Sequence, residues 1–263
     1  MIEIIIPAFN CSKTIEKTLA SLMMQTDQRF KVTVVDDCST EDIKPIVDYY
    51  RSHLDINYIR HDINMGCGMS RQTGIDNASC RFITFLDSDD MFMPYTVEVF
   101  NSVIEAKPET EYLHTYFYEQ AVINDVPILY LHKNNFTACH GKLYNVDKLR
   151  EYDIRNSPTV RWADDSFYNS MCGELLKMDT LNIPMMLWTN NPNSVMRCKN
   201  DERDRLRKID FFDAMILSTE FVLQKKGKID HLQNTLENIL KNDVLTDVEQ
   251  EKMNTLLKMG KGD

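Results

Sequence analysis

The sequence predicts an α/β fold: a mostly parallel, Rossmann-like central sheet with helices on both faces, followed by a C-terminal helical appendage. Three observations predict it. Short β-branched runs alternate with helical periodicity through the first third of the chain, the pattern of successive βαβ units. The strongest runs end in polar loops, where open α/β sheets place their ligands. Beyond Cys198 the composition shifts to a charged stretch, Lys199 to Asp210, and then to helical patterns.

Taken in order, Ile2 to Ile6 is nearly all apolar and Pro7 stops it, so it reads as the first strand. Ile15, Leu19, Leu22 and Met23 recur at helical spacing, with Ser12 the expected N-cap and Glu16 near the place of a capping partner. Lys31 to Val35 is a second strand, ended by Asp36-Asp37-Cys38-Ser39-Thr40. Thr40 or Asp42 can cap a helix through Ile46, Val47 and Tyr50; Ile56 to Ile59 is a weak strand and Ser70 to Ala78 a helix. Arg81 to Leu86 is a strong strand that runs into Asp87-Ser88-Asp89-Asp90. Then come a helix over Pro94 to Ala106, strands over Tyr112 to Tyr118 and Ile128 to Leu131, and a mixed segment over Thr137 to Asn145. This part is expected to extend the sheet as antiparallel edge structure. Asp164 to Met178 reads as a helix, Ile183 to Trp188 as a strand, Asn190 to Ser194 as a turn-rich loop, and Phe211 to Leu223 and Leu232 to Leu257 as two or three helices. In those last helices Phe212, Met215, Ile216, Leu236, Ile239 and Leu240 are expected to pack on the main domain, with an oligomer face or a membrane or partner surface as alternatives.

Composition narrows the partners. With 263 residues, 43% hydrophobic and 27% charged, the chain is ordinary for a globular protein. Lys and Arg number 30 against 40 Asp and Glu, a formal charge of -10, so no nucleic-acid partner is expected without a local basic patch. No signal peptide is visible at the start, and apolar runs stop well short of the roughly 18 residues of a membrane span, leaving peripheral docking at a membrane face. Seven scattered cysteines without a CxxC pair read as reduced thiols of a cytoplasmic protein.

The chemistry concentrates at strand ends. Asp87 and Asp89 can be gathered by a turn, and their hard oxygens suit Mg2+ or Mn2+ bridging a diphosphate, although the same residues form solvated turns and caps. Asp36 and Asp37 can accept hydrogen bonds from a base or ribose, or cap the next helix. Pro7 to Asn10 could lie along a planar base. The segment Asn64 to Gly74 contains Gly66, Gly68 and Arg71 at a helix start, suited to a phosphate or ribose group. Neither a Walker loop nor a dinucleotide glycine fingerprint is present.

Together these loops resemble family 2 of the inverting glycosyltransferases, which have the GT-A fold and use nucleotide-diphosphate sugars. The resemblance spans nearly all of the first 195 residues. Ile4 to Asn10 matches the family's opening strand and loop, so Pro7, Ala8, Phe9 and Asn10 are expected at the base. Asp37 matches the base-contacting carboxylate, with Cys38 where the family usually has Gly. Asn64, Gly66, Arg71 and Gly74 fit the third signature, with Gln72 in place of its common Asn, and Phe85 to Asp90 fits the metal motif through Asp87, Ser88 and Asp89. Trp162-Ala163-Asp164-Asp165-Ser166-Phe167 matches the acidic pair near the acceptor. Asp165 is the implied base, to deprotonate the acceptor hydroxyl, and Asp164 replaces the commoner Glu. The same two acids could instead cap the helix that follows.

Met186 to Val195 resembles the family's late loop but lacks its His or Arg between Met186 and Ser194, leaving Arg197, Arg203 or Arg205 as phosphate contacts. His140 and Gly141 are candidate acceptor-site residues, and Trp162 and Trp188 could stack on a sugar or simply pack. The implied division is a catalytic domain over 1–197, with a nucleotide-binding half over 1–90 and an acceptor half over 91–197, and an appendage over 198–263 that could mediate homo-oligomer formation. The implied activity is metal-dependent inverting transfer of a hexose or N-acetylhexosamine from a UDP-sugar to a hydroxyl acceptor, as in surface or capsular glycan synthesis. A non-catalytic nucleotide-sugar or glycan-binding protein of the same fold is the rival; a nucleotidyltransferase lacks its Gly-rich signature here.

Overall fold

The computed structural model describes residues 1–123, 126–133, 135–189, 201–243 and 245–261. Its first half is a run of βα units: β1 (Ile2–Ala8), α1 (Ile15–Met23), β2 (Phe30–Asp36), α2 (Lys44–Tyr50), β3 (Ile56–Arg60), α3 (Cys67–Asp76) and β4 (Phe82–Phe85). β2 and β4 flank β1 and β3 flanks β2, all parallel. Every residue of β1 is buried, as a strand covered on both faces requires.

Beyond β4 the strand directions mix. The elements are β5 (Met91–Phe92), α4 (Thr96–Ala106), β6 (Tyr112–Ile123), β7 (Val126–His132), β8 (Lys142–Asn145), α5 (Val146–Tyr152), α6 (Asp164–Leu175) and β9 (Met178–Trp188). The sheet order is β3-β2-β1-β4-β8-β6-β9-β5, with β7 hairpinned on β6. β8 runs antiparallel to both β4 and β6, while β9 is parallel to β6. The expected antiparallel extension is present, built around a parallel β6–β9 pair.

Several boundaries differ from the sequence reading. Ser12 does not cap α1; its hydroxyl bonds to Glu41, and the helix opens from a turn in which Thr14 N donates to Cys11 O. α6 stops at Leu175 because Leu176 is extended, and β9 starts at Met178, five residues ahead of the expected strand. β5 and α5 had no counterpart in the pattern.

Two apolar layers cover the sheet. Ile2, Ile4 and Ile6 pack with Leu19, Val32, Val47 and Phe100 on one face. Ile5, one residue out of phase, packs on the other with Phe85, Tyr144, Phe167 and Tyr168, the period-two alternation of a strand. The C-terminal helices α7 (Asp201–Lys226), α8 (His231–Asn242) and α9 (Asp247–Lys261) join this second layer through Phe212, Met215, Ile216, Leu236 and Ile239, with Leu240 packed against it. They therefore share one core with residues 1–189. α6 lies between the sheet and these helices, and its buried Glu174 accepts hydrogen bonds from Asp230 N and, at 2.6 Å, Leu232 N at the start of α8. Among the described residues no helix is long and apolar enough to cross a membrane.

α3 presses directly on β1 at Gly74, where an added Cβ would lie 2.3 Å from Ile5 Cγ2. Gly74→Ala is expected to destabilise the fold by about 1–3 kcal/mol through overpacking. Urea unfolding should show a lower midpoint at unchanged slope.

Candidate active site

The carboxyl ends of β1, β2 and β4 bring the three polar loops to one rim. Pro7 and Ala8 are buried, Phe9 is exposed, and Asn10 adopts a left-handed conformation with φ 49°. Asn10 N donates to Ser39 Oγ at 2.9 Å, and Asn10 Oδ1 accepts from Thr40 N at 2.8 Å, so the first two loops are knitted together. Cys38 has φ 61°, the left-handed region where a glycine is the unstrained choice.

Asp37 is buried, and both its oxygens are engaged. Oδ1 accepts from Met65 N at 2.8 Å and Oδ2 from Gly66 N at 2.8 Å, while His61 Nδ1 lies 2.8 Å from Oδ1. The carboxylate expected at the base thus organises the 61–66 loop. Gly66, at φ 91°, turns that loop into α3, and exposed Asn64 donates to Asp37 O at 3.1 Å. His61, whose Nε2 lies 2.9 Å from Thr73 Oγ1, completes this support and carried no signal in the sequence. Asp36 is fully buried; burial opposes its charge, but Ser39, Tyr58 and Arg60 outweigh it and hold its pKa below the ordinary value.

Arg71 does not face the rim as a free phosphate ligand. Its side chain is 4% exposed and bridges three carboxylates, donating from Nη2 to Asp87 Oδ1 at 2.7 Å and from Nη1 to Asp164 Oδ2 at 2.5 Å and to Asp165. The reason is its place on the face of α3 turned toward β4 and α6. The two acids of the pair then diverge. Burial lifts Asp164 to about 7 against the Arg71 charge, with Asp165 and Asp87 adding to the rise. Asp165 keeps 28% of its side chain exposed. Burial works against its charge too, but Arg71, then His140 and the Cys139 N–H at 3.2 Å prevail, so its pKa is lowered. Asp164 is packed beneath α3, where a Cβ on Gly68 would come within 2.9 Å of its own Cβ. The sequence reading had placed it near the acceptor; its side chain is buried in the structure.

The acids after β4 form a turn, with Asp90 N donating to Asp87 O at 3.0 Å, and this sets which carboxylates share a side. Asp87, Asp90 and His140 each bring a ligand atom within 4.8 Å of the others. The expected partner Asp89 is not in this group, because residues i and i+3 of the turn share a side whereas i+2 does not; its carbonyl accepts from the Thr189 hydroxyl. Ser88 is half-buried in the same turn. Asp90 Oδ2 and both ring nitrogens of His140 are buried and make no full hydrogen bond, with His140 Nε2 3.4 Å from Asp90 Oδ2 and 3.8 Å from Asp87 Oδ2, an arrangement that could hold a metal ion. Two carboxylates and an imidazole suit Mn2+ at least as well as Mg2+, the harder ion.

His140 is placed by the loop before β8. Gly141 is left-handed (φ 63°), and an added Cβ would meet Thr115 Oγ1 at 2.7 Å. Buried Lys142 donates to Asn135 O at 3.1 Å and to Ala138 O, and Asn169 of α6 donates to Thr137 O at 2.9 Å. Burial brings Lys142 down to about 8. Trp188 packs within an aromatic group, 5.5 Å from His140 and 6.5 Å from Phe117. Trp162 is turned to α7, with Arg203 and Arg207 over its ring at 6.0 and 5.7 Å, so packing rather than an open sugar platform is what its ring does. Those contacts place Arg203 beside Trp162; Arg197 and the loop 190–194 lie outside the described residues.

Comparisons with known proteins show the family and the fold. The family model for glycosyl transferase family 2 matches residues 3–152. An uncharacterized glycosyltransferase of Haemophilus influenzae is 35% identical over 114 residues, 43% of this chain and 38% of that protein. Chondroitin synthase of Pasteurella multocida is 28% identical over 222 residues, 81% of this chain and 21% of that protein. The poly(ribitol-phosphate) beta-N-acetylglucosaminyltransferase TarS of Staphylococcus aureus is 36% identical over 99 residues, 36% of this chain and 17% of that one. The chain thus spans well under half the length of these relatives. The crystal structure of TarS 1–349 in complex with UDP-GlcNAc superposes with a TM-score of 0.74 at 21% identity, covering 98% of this chain and 81% of that one, a likeness of fold.

Proposed function

The chain belongs to glycosyl transferase family 2, and from that premise we propose that it transfers a hexose or N-acetylhexosamine from a UDP-sugar to a hydroxyl acceptor with inversion. The observation that carries this is Asp165: a part-exposed carboxylate at the start of α6 whose pKa is held down by Arg71, which also links it to Asp87 in the turn after β4. Asp165 takes the proton of the acceptor hydroxyl as that oxygen attacks the anomeric carbon. One base acting in one displacement inverts the configuration, whereas a retaining glycosidase would use a second carboxylate as nucleophile. Asp87, Asp90 and His140 would hold the divalent cation. When bound, it supplies positive charge for the diphosphate leaving group. Arg71 keeps Asp165 deprotonated and aimed. The rim formed by Pro7 to Asn10, Asn64 and Gly66 receives the nucleotide.

Two relatives named for polymer glycosylation support a growing surface glycan or polyol-phosphate polymer as acceptor. A thermal-shift panel of UDP-GlcNAc, UDP-glucose and UDP with and without Mn2+ tests the donor reading. At a hundredfold excess over Kd, a bound donor stabilises by about 2.7 kcal/mol. We expect stabilisation by a UDP-sugar that depends on Mn2+ and is lost in Asp87→Ala. No shift with any UDP compound would overturn the proposal.

A further inference from the structure

The acidic pair is held in place from α7, one of the C-terminal helices. Trp162 and its neighbours form the last loop before α6, and α6 begins without a side-chain cap of its own. The carboxylate of Asp210, on α7, accepts hydrogen bonds from three successive backbone N–H groups of that loop. Arg161 N lies 3.0 Å from Oδ1, and Trp162 N and Ala163 N lie 2.6 and 2.7 Å from Oδ2. Consecutive amides converging on one anion make a nest, and bonds to a charged acceptor are the stronger kind. Arg203 and Arg207 flank the Trp162 ring from the same helix. Positions 203, 207 and 210 are spaced i, i+4, i+7, so one stripe of α7 grips residues 161–163. Immediately beyond that grip come Asp164 and Asp165. On the opposite side Gly68 abuts Asp164, which leaves the pair little room to settle elsewhere.

We propose that Asp210 is a positioning residue for the transfer reaction: by fixing the backbone at 161–163 it sets where the Asp165 carboxylate stands relative to Arg71, Cys139 N and the acceptor. This rests on the reading of Asp165 as the base. Asp210 touches neither substrate nor the reacting atoms, so its loss acts on turnover and leaves the donor rim intact.

The test uses the whole chain and measures UDP release from the UDP-sugar that gives the largest thermal shift, together with UDP affinity in Mn2+. Asp210→Ala is expected to lower kcat by about tenfold to a hundredfold, the scale of a displaced catalytic group, with the donor KM and UDP affinity within about twofold. Asp210→Asn, which keeps one acceptor oxygen for three N–H groups, is expected to fall between Asp210→Ala and the parent. Met215→Ala, a core truncation on the same helix, controls for stability. It should lose melting temperature and keep kcat. The inference is overturned if a folded Asp210→Ala keeps parental kcat, or if Met215→Ala loses kcat to the same degree. Should Asp210→Ala not fold, parental kcat in Asp210→Asn overturns it and a reduced kcat at unchanged donor KM supports it. Failure of the underlying reading is separable: Asp165→Asn would then retain turnover, whereas an inactive Asp165→Asn beside fully active Asp210 variants removes only the positioning role.

Discussion

Asp165→Asn is expected to lower kcat for transfer by about a thousandfold, within the range that a general base contributes, while UDP-sugar binding stays within about twofold. The asparagine keeps the size of the side chain and an oxygen that can accept from Arg71 Nη1 or Cys139 N, so the surroundings have no cause to collapse. What it loses is proton affinity. Asp164 is not placed to take over: it is buried under α3, against Gly68 and bonded to Arg71 Nη1. The measurement is single-turnover transfer alongside calorimetric titration with the donor. A folded Asp165→Asn protein that turns over at the parental rate would remove Asp165 from the chemistry.

Arg71→Met has the larger effect on the fold. One buried guanidinium serves Asp87, Asp164 and Asp165, and packs 5.7 Å from the Phe85 ring. Removing one partner from a buried ionic cluster typically costs about 3–5 kcal/mol, because the remaining charges stay buried and unpaired. Lysine would not repair it, since a single ammonium cannot reproduce a planar fork that reaches three carboxylates. The loss has a definite pH signature. Arg71 opposes protonation of both Asp164 and Asp165. Without it the native pKa of Asp164 rises further above the unfolded value of about 4 and that of Asp165, now held below it, rises as well, so the folded state takes up protons more readily than the parent does. Their contribution to stability is then greatest at acid pH and is lost as pH rises through the raised values. The deficit of Arg71→Met in urea unfolding should therefore be larger at pH 8 than at pH 5. A deficit that is small and equal at both would show that the three acids do not depend on Arg71.

The rim was legible because its parts are local. A β-branched run followed by Pro7 or by a string of acids announces a strand end whatever packs beside it, and three such ends in a parallel sheet must meet. Orientation within the rim was not. Which of Asp87, Asp89 and Asp90 share a side depends on a turn closed by one backbone hydrogen bond. An arginine at a helix start reads the same whether it meets a phosphate or, as Arg71 does, three buried carboxylates. The α6–β9 border was hidden because no Gly or Pro separates Leu175 from Met178. Asp210 is one acid in a charged run, and only the long-range fold distinguishes it from its neighbours.

The two holds on α6 also fix when the site can exist. Asp210 binds backbone 47 to 49 residues upstream, and Glu174 binds backbone 56 and 58 residues downstream. A chain emerging from the ribosome N-terminus first has β1, β2, β3 and β4 available to pair as soon as Phe85 has been made. The helix carrying the acidic pair lacks its second anchor until Leu232 has been made. Residues 3–152, the stretch that bears the family's pattern, can thus be present in full and paired into sheet while no working site has formed.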